Sequence, residues 1–194
     1  MSVAKGVLLT AVVGLPLTGK STIARGVSQT LGIRHLDIDD DIRLPIFGKP
    51  DADPYRDEAT RAAASAEMGQ AYDLLLAAAE SHMILGRPVI LTATFSRKLA
   101  RAKLLVLEAR YNARLRVIWC HSDGCDTDEA VAARLAGRAF GVNYFGGCNS
   151  VEHYRDDQKR YEPMSLPHRE IDTFRYGPGE CIEFALDYVA HKEG

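Results

Sequence analysis

The sequence predicts an α/β fold, a doubly wound five-stranded parallel sheet with a helical lid, and three observations carry that reading. An apolar run of strand length, Leu8 to Val13, passes into a glycine-bounded turn and then into a helical pattern. A further run, Pro88 to Thr94, is continuous rather than alternating in apolarity, as in a strand covered on both faces, and Leu115 to Cys120 reads as another strand. Helical patterns separate these runs, the alternation that parallel strands joined by crossovers require.

The first strand leads into Gly14-Leu15-Pro16-Leu17-Thr18-Gly19-Lys20-Ser21, followed by Thr22, a complete G-x-x-x-x-G-K-[ST] phosphate loop. Glycine lets backbone N–H groups turn inward around phosphate oxygens, Lys20 brings a fixed charge to the β and γ phosphates, and Ser21 is placed to ligate Mg²⁺. The helix opening near Lys20 points its N-terminal donors at the same anion. Ile23, Val27 and Leu31 give that helix its apolar stripe, and Gly32 stops it.

Arg34 to Ile38 reads as the second strand. It empties into Asp37-Ile38-Asp39-Asp40-Asp41-Ile42-Arg43, where four carboxylates within five residues repel one another unless solvated or matched by cations such as Mg²⁺. Acidic residues also suit the cap of a short helix entered at Ile42. Ligands of open α/β sheets sit beyond the carboxyl ends of strands, where both the phosphate loop and this acidic turn fall.

A proline-bearing connection, Pro45 to Pro54, precedes a long helical pattern from Glu58 to Leu85. Met68, Tyr72, Leu75, Leu76 and Ala79 share one face, and Gly69 is a point of interruption. The third strand follows, then a helix capped by Ser96 and running to Ala113, then the fourth strand. Asp126-Thr127-Asp128-Glu129 opens a helix bearing Arg134 and Arg138, which are four residues apart and so share a face. The glycine-hinged aromatic segment Ala139 to Gly147 comes next, so residues 134–160 read as a lid. Val151 to Tyr161 is a polar helix, Ile171 to Arg175 a fifth strand, and Gly179 to Lys192 a final amphipathic helix.

A length of 194 residues suits a single domain, and the formal net charge of -2 makes no global case for a nucleic-acid or membrane partner. Cys120, Cys125, Cys148 and Cys181 lack paired metal-site spacing and read as reduced thiols. The first apolar run is too short for a membrane span and reads as a core strand rather than a signal peptide, so a cytoplasmic location is expected.

Together these residues resemble the P-loop kinases of the group that includes polynucleotide 5'-hydroxyl kinase, the zeta-toxin-like kinases and chloramphenicol phosphotransferase, the AAA-domain-type predicted kinases. The marks are Gly14 to Thr22 at the first strand, Asp40-Asp41-Ile42-Arg43 after the second, Val89 to Phe95 as the third, and Arg134-Leu-Ala-Gly-Arg138 before the lid. The resemblance implies that Asp40, first in a D-D-x-R pattern, is the general base for an acceptor hydroxyl. By the same likeness Arg43, with Asp39, binds the acceptor, while Arg138 and Arg134 reach the γ-phosphate. ATP and Mg²⁺ are the implied cofactors, and no N-K-x-D guanine signature argues for GTP. A small-molecule hydroxyl is the expected acceptor, a polynucleotide 5'-end the alternative.

Two features depart from the pattern. The family's third strand carries an Asp where this chain has Thr92, so Asp37 or Asp39 has to serve as the outer carboxylate for Mg²⁺, and a nucleotide-binding switch or plain hydrolase is the rival expectation. Register within Asp39-Asp40-Asp41 rests on Arg43 alone.

Overall fold

The computed structural model describes residues 6–48, 57–122, 127–138, 148 and 150–190, with the side chain of Arg138 outside that set. Five strands form one sheet: β1 Leu8–Val13, β2 Arg34–Asp37, β3 Val89–Thr92, β4 Arg114–His121 and β5 Arg169–Asp172. Their order is β2-β3-β1-β4-β5, and every pairing is parallel. The helices are α1 Lys20–Leu31, α2 Leu44–Phe47, α3 Glu58–Ile84, α4 Lys98–Tyr111, α5 Asp128–Arg138, α6 Val151–Arg160 and α7 Pro178–Ala190.

Strand periodicity divides β1 between two cores. Leu9, Ala11 and Val13 face a cluster with Leu75, Ala79 and Met83 of α3 and Leu104 and Leu107 of α4. Val12 faces Ile23 and Val27 of α1 and Cys181, Ala185 and Val189 of α7. Each fully buried aliphatic side chain contributes about 1.5–3 kcal/mol, so the sheet is held from both faces and its carboxyl ends are fixed in place.

Several boundaries differ from the sequence expectation. α3 runs unbroken through Gly69, where nothing approaches the Cα and the flanking alanines carry the helix. α4 begins at Lys98 rather than being capped by Ser96: Glu162 reaches across to accept the Lys98 N–H, and Ser96 instead accepts from Glu162 N at 2.9 Å. The fifth strand is Arg169–Asp172, two residues earlier than read, because Asp172 accepts Phe174 N at 2.9 Å and turns the chain. The second strand ends at Asp37, since Ile38–Arg43 forms a π-helical turn leading into α2.

Buried Arg101 ties α4 to the segment after α6, donating to the carbonyls of Phe95 at 2.9 Å and Pro163 at 2.8 Å. Cys120, Cys148 and Cys181 are buried and in no disulfide, and Cys125 lies outside the described residues. Among the described residues no helix is long and apolar enough to cross a membrane.

Candidate active site

The phosphate loop joins β1 to α1 at the carboxyl edge of the sheet. Gly14 has a φ of 143°, and a Cβ there would lie 2.1 Å from the Cys120 carbonyl oxygen, so only glycine lets the chain leave β1 beside β4. Thr18 Oγ1 donates to Leu15 O at 2.8 Å, closing the turn, and Gly19, at a φ of 72°, precedes the first turn of α1. The Lys20 ammonium lies within the loop, with Nζ donating to Leu15 O at 2.5 Å. Leu17 takes a φ of 69° although it is not glycine. It is held there by packing: Leu15 and Leu17 lie against Val131 and Leu135 of α5 and Val151 and Tyr154 of α6.

That apolar contact seats the helical lid directly on the phosphate loop. Arg134 Nη1 donates to Leu17 O at 3.2 Å, so this arginine reaches the loop. Arg155 of α6 holds Asp128 of α5 at 2.8 Å, locking the two lid helices together. Arg138 ends α5; its side chain lies outside the described residues, as does the aromatic segment 139–147.

The acidic turn resolves into four separate environments. Asp37, buried at the end of β2, accepts Ser21 Oγ on Oδ2 at 2.9 Å, while its Oδ1 accepts the Asp39 N–H at 2.9 Å and so caps the π turn. Asp39 accepts from Arg43 Nη1 at 2.8 Å. Asp40 points the other way, onto Arg25 of α1 at 2.9 Å, and both side chains are more than half exposed. Asp41 accepts from Arg34 at 2.7 Å and from the N–H of Asp37, the last residue of β2, at 2.8 Å. The turn thus gives each carboxylate its own partner, with Asp37 buried, Asp39 half-buried and Asp40 more than half exposed. Burial pushes the Asp39 carboxyl above its usual range, opposed by the Arg43 guanidinium and, more weakly, by Lys20. Asp40, the residue expected as base, is in an exposed pair with Arg25, and Arg43 pairs with Asp39 four residues before it.

Thr92 is in register with Asp37 on the neighbouring strand, and its Oγ1 lies 2.7 Å from His35 Nε2. The carboxylate missing from β3 is thus found one strand over, already on Ser21. Serine hydroxyl and carboxylate are hard oxygen ligands, the donor set Mg²⁺ prefers.

Three residues were missed. Glu67 of α3 accepts from Arg43 Nε at 3.2 Å and Nη2 at 3.0 Å. Tyr72 accepts the Phe95 N–H at 2.8 Å, and its hydroxyl is held in the neutral form by burial. Asp157 of α6 is pushed up to about 6 by burial against the pull of Arg160 and Lys20. None belongs to a motif; Asp157 carried one faint signal, a His153 four residues earlier, whose Nε2 lies 3.6 Å from it.

Comparison with known proteins supplies the class. Residues 9–142 match the AAA domain family model, and the chain belongs to that family, with a P-loop kinase-like fold. A candidate kinase from Chloroflexus aurantiacus superposes with a TM-score of 0.70 at 18% identity, covering 95% of this chain and 99% of that one. The APS kinase CysC of Mycobacterium tuberculosis, solved with AMPPNP and APS, gives 0.60 at 18% identity over 96% and 99%. A gluconokinase from Sinorhizobium meliloti gives 0.58 at 16% identity over 96% and 93%. These likenesses share the fold. No curated protein matches the chain.

Proposed function

We propose that the protein is an ATP-dependent kinase that phosphorylates a hydroxyl of a small molecule. The observation that carries this reading is that the acidic turn is tied to the phosphate loop: Asp37 accepts Ser21 Oγ at 2.9 Å and also caps the Asp39 N–H at 2.9 Å, which sets the half-buried Asp39–Arg43 pair beside the loop. A hydrolase that only orients water has no need of a carboxylate clamped by an arginine beside the transfer site.

The residues divide the reaction between them. Backbone N–H groups of Gly14 to Thr22 hold the phosphates, and Lys20 neutralises the β and γ oxygens. Ser21 and Asp37 are the residues that would hold Mg²⁺, which when bound neutralises charge on the β and γ phosphates and fixes their orientation. Asp39 accepts the acceptor's hydroxyl proton as that oxygen bonds to the γ-phosphorus; the bond from phosphorus to the β,γ-bridging oxygen breaks, and ADP leaves. A carboxyl with a raised pKa is a better base near neutral pH than an ordinary one. Arg43 fixes the Asp39 carboxylate, while Arg134 and Arg138, carried by the lid helix α5, serve the transferring phosphoryl group.

Incubation with γ-labelled ATP, Mg²⁺ and a panel of hydroxyl compounds tests the reading. Label is expected in an organic product; release only as free phosphate would leave a hydrolase or a nucleotide switch in its place.

A further inference from the structure

Granted the nucleotide-binding part of the kinase reading, what holds the phosphate loop in shape becomes a functional matter. Two residues of the loop are left-handed, Leu17 at a φ of 69° and Gly19 at 72°. Left-handed residues turn successive backbone N–H groups toward one hollow, the arrangement that takes phosphate oxygens. Gly19 adopts this conformation at little cost. Leu17 carries a Cβ and does not, and a residue so placed persists only where its surroundings impose it.

Those surroundings are the two lid helices. α5 and α6 share an apolar cluster built on Val131, Cys148 and Tyr154, separate from the two cores that cover the sheet. Among the described residues, Leu15 and Leu17 are the only apolar side chains that reach it from outside residues 128–160; the other packed members are Leu135 and Val151. Arg134 adds a polar hold on the same residue, with Nη1 on Leu17 O at 3.2 Å. Past the end of α6 the chain is anchored to the body instead, where Arg101 of α4 donates to the carbonyls of Glu162 at 3.1 Å and Pro163 at 2.8 Å. The Arg155–Asp128 pair at 2.8 Å ties α6 back to α5, linking that anchor to the seat on the loop.

We propose that the lid keeps the phosphate loop in its anion-binding shape through Leu17, so that nucleotide affinity and lid packing are coupled in both directions. Loosening the Leu17 contact raises the energy of the binding-competent loop, and a nucleotide that selects that loop strengthens the contact.

Calorimetry with ADP, joined to amide hydrogen exchange, tests the coupling. Leu135→Ala trims the lid side of the cluster and is expected to weaken ADP binding about five- to tenfold. Leu17→Gly relieves the strained φ while deleting the contact; it is expected to weaken binding by a similar factor, and the double variant by little more than either alone. At saturating ADP, exchange across α5 and α6 should slow in the wild type and not in Leu17→Gly. Unchanged affinity in a folded Leu135→Ala variant, tighter binding by Leu17→Gly, or effects that multiply in the double variant overturn the proposal and keep the kinase. Should Leu135→Ala fail to fold, the wild-type exchange decides alone, and no slowing in α5 and α6 overturns the proposal. A wild-type protein that binds no adenine nucleotide removes the kinase reading and this proposal with it.

Discussion

The phosphate loop and the acidic turn lie side by side at the carboxyl edge of one sheet, yet they hold their charged groups by different means. In the loop the contacts are local: Thr18 and Lys20 bond to Leu15, and the geometry follows from glycines at fixed offsets. In the turn every carboxylate takes a cation or hydroxyl from farther along the chain or from another element: Asp37 from Ser21, Asp39 from Arg43, Asp40 from Arg25, Asp41 from Arg34. A motif whose partners lie within it can be read residue by residue. A run of like charges cannot, because which member enters the site depends on the pitch of the backbone that carries it.

Substituting Lys20 should give the largest effect, since the loop then loses its one side-chain charge. Lys20→Ala is expected to lower kcat/KM by about 10³ with the fold intact, measured by steady-state transfer and circular dichroism. The acidic turn should show contrast rather than uniform loss. Asp39→Asn is expected to cost about 10²–10⁴ in kcat, whereas Asp40→Asn should change it by less than about threefold, because an exposed ion pair with Arg25 is worth less than about 1 kcal/mol. The reverse ranking would restore the D-x-x-R register and remove Asp39 as base.

Asp37 tests where the two regions meet. Asp37→Asn should weaken Mg²⁺-dependent nucleotide binding about 10- to 100-fold, read by calorimetry with and without the metal. Binding without metal should change little. If Mg²⁺ affinity is untouched, the carboxylate on β2 does not replace the one that Thr92 lacks.

Much of the frame was legible because its determinants are local. The continuous apolar run of β3 reads as a covered strand, and its four residues are buried; Gly32 could be read as the end of α1 because its φ of 64° is one that glycine readily takes. Arg134 was picked out from its spacing to Arg138, and its guanidinium does meet the phosphate loop at Leu17 O. What stayed hidden depended on distant partners. Arg43 pairs with Asp39 rather than with Asp40, and the run of three aspartates gives no sign of that choice. Glu162 caps α4 from a segment 64 residues away. Asp157 looked like one polar residue on a polar helix, and only burial beside the phosphate loop distinguishes it from its solvated neighbours.

That third case extends the comparison to a carboxylate with no motif at all, and pH tests it with the smallest of the expected effects. Burial raises Asp157 from 3.8 to about 6, with Asp156 adding to the rise and Arg160 and Lys20 opposing it. Below about pH 4 the group is protonated in both folded and unfolded chains and carries no penalty. As pH rises through about 6 the folded protein must hold a partly buried anion, so the stability associated with the neutral form is lost across that window. The loss is at most about 3 kcal/mol, reduced because a quarter of the side chain meets solvent. Asp39 is shifted in the same direction and is present in both proteins, so the difference between wild type and Asp157→Asn isolates Asp157. The wild-type melting temperature should fall relative to the variant's between pH 4 and 6. A flat difference would mean that Asp157 is solvated like its neighbours on α6, leaving the phosphate loop and the acidic turn as the only two sources of charge at the site.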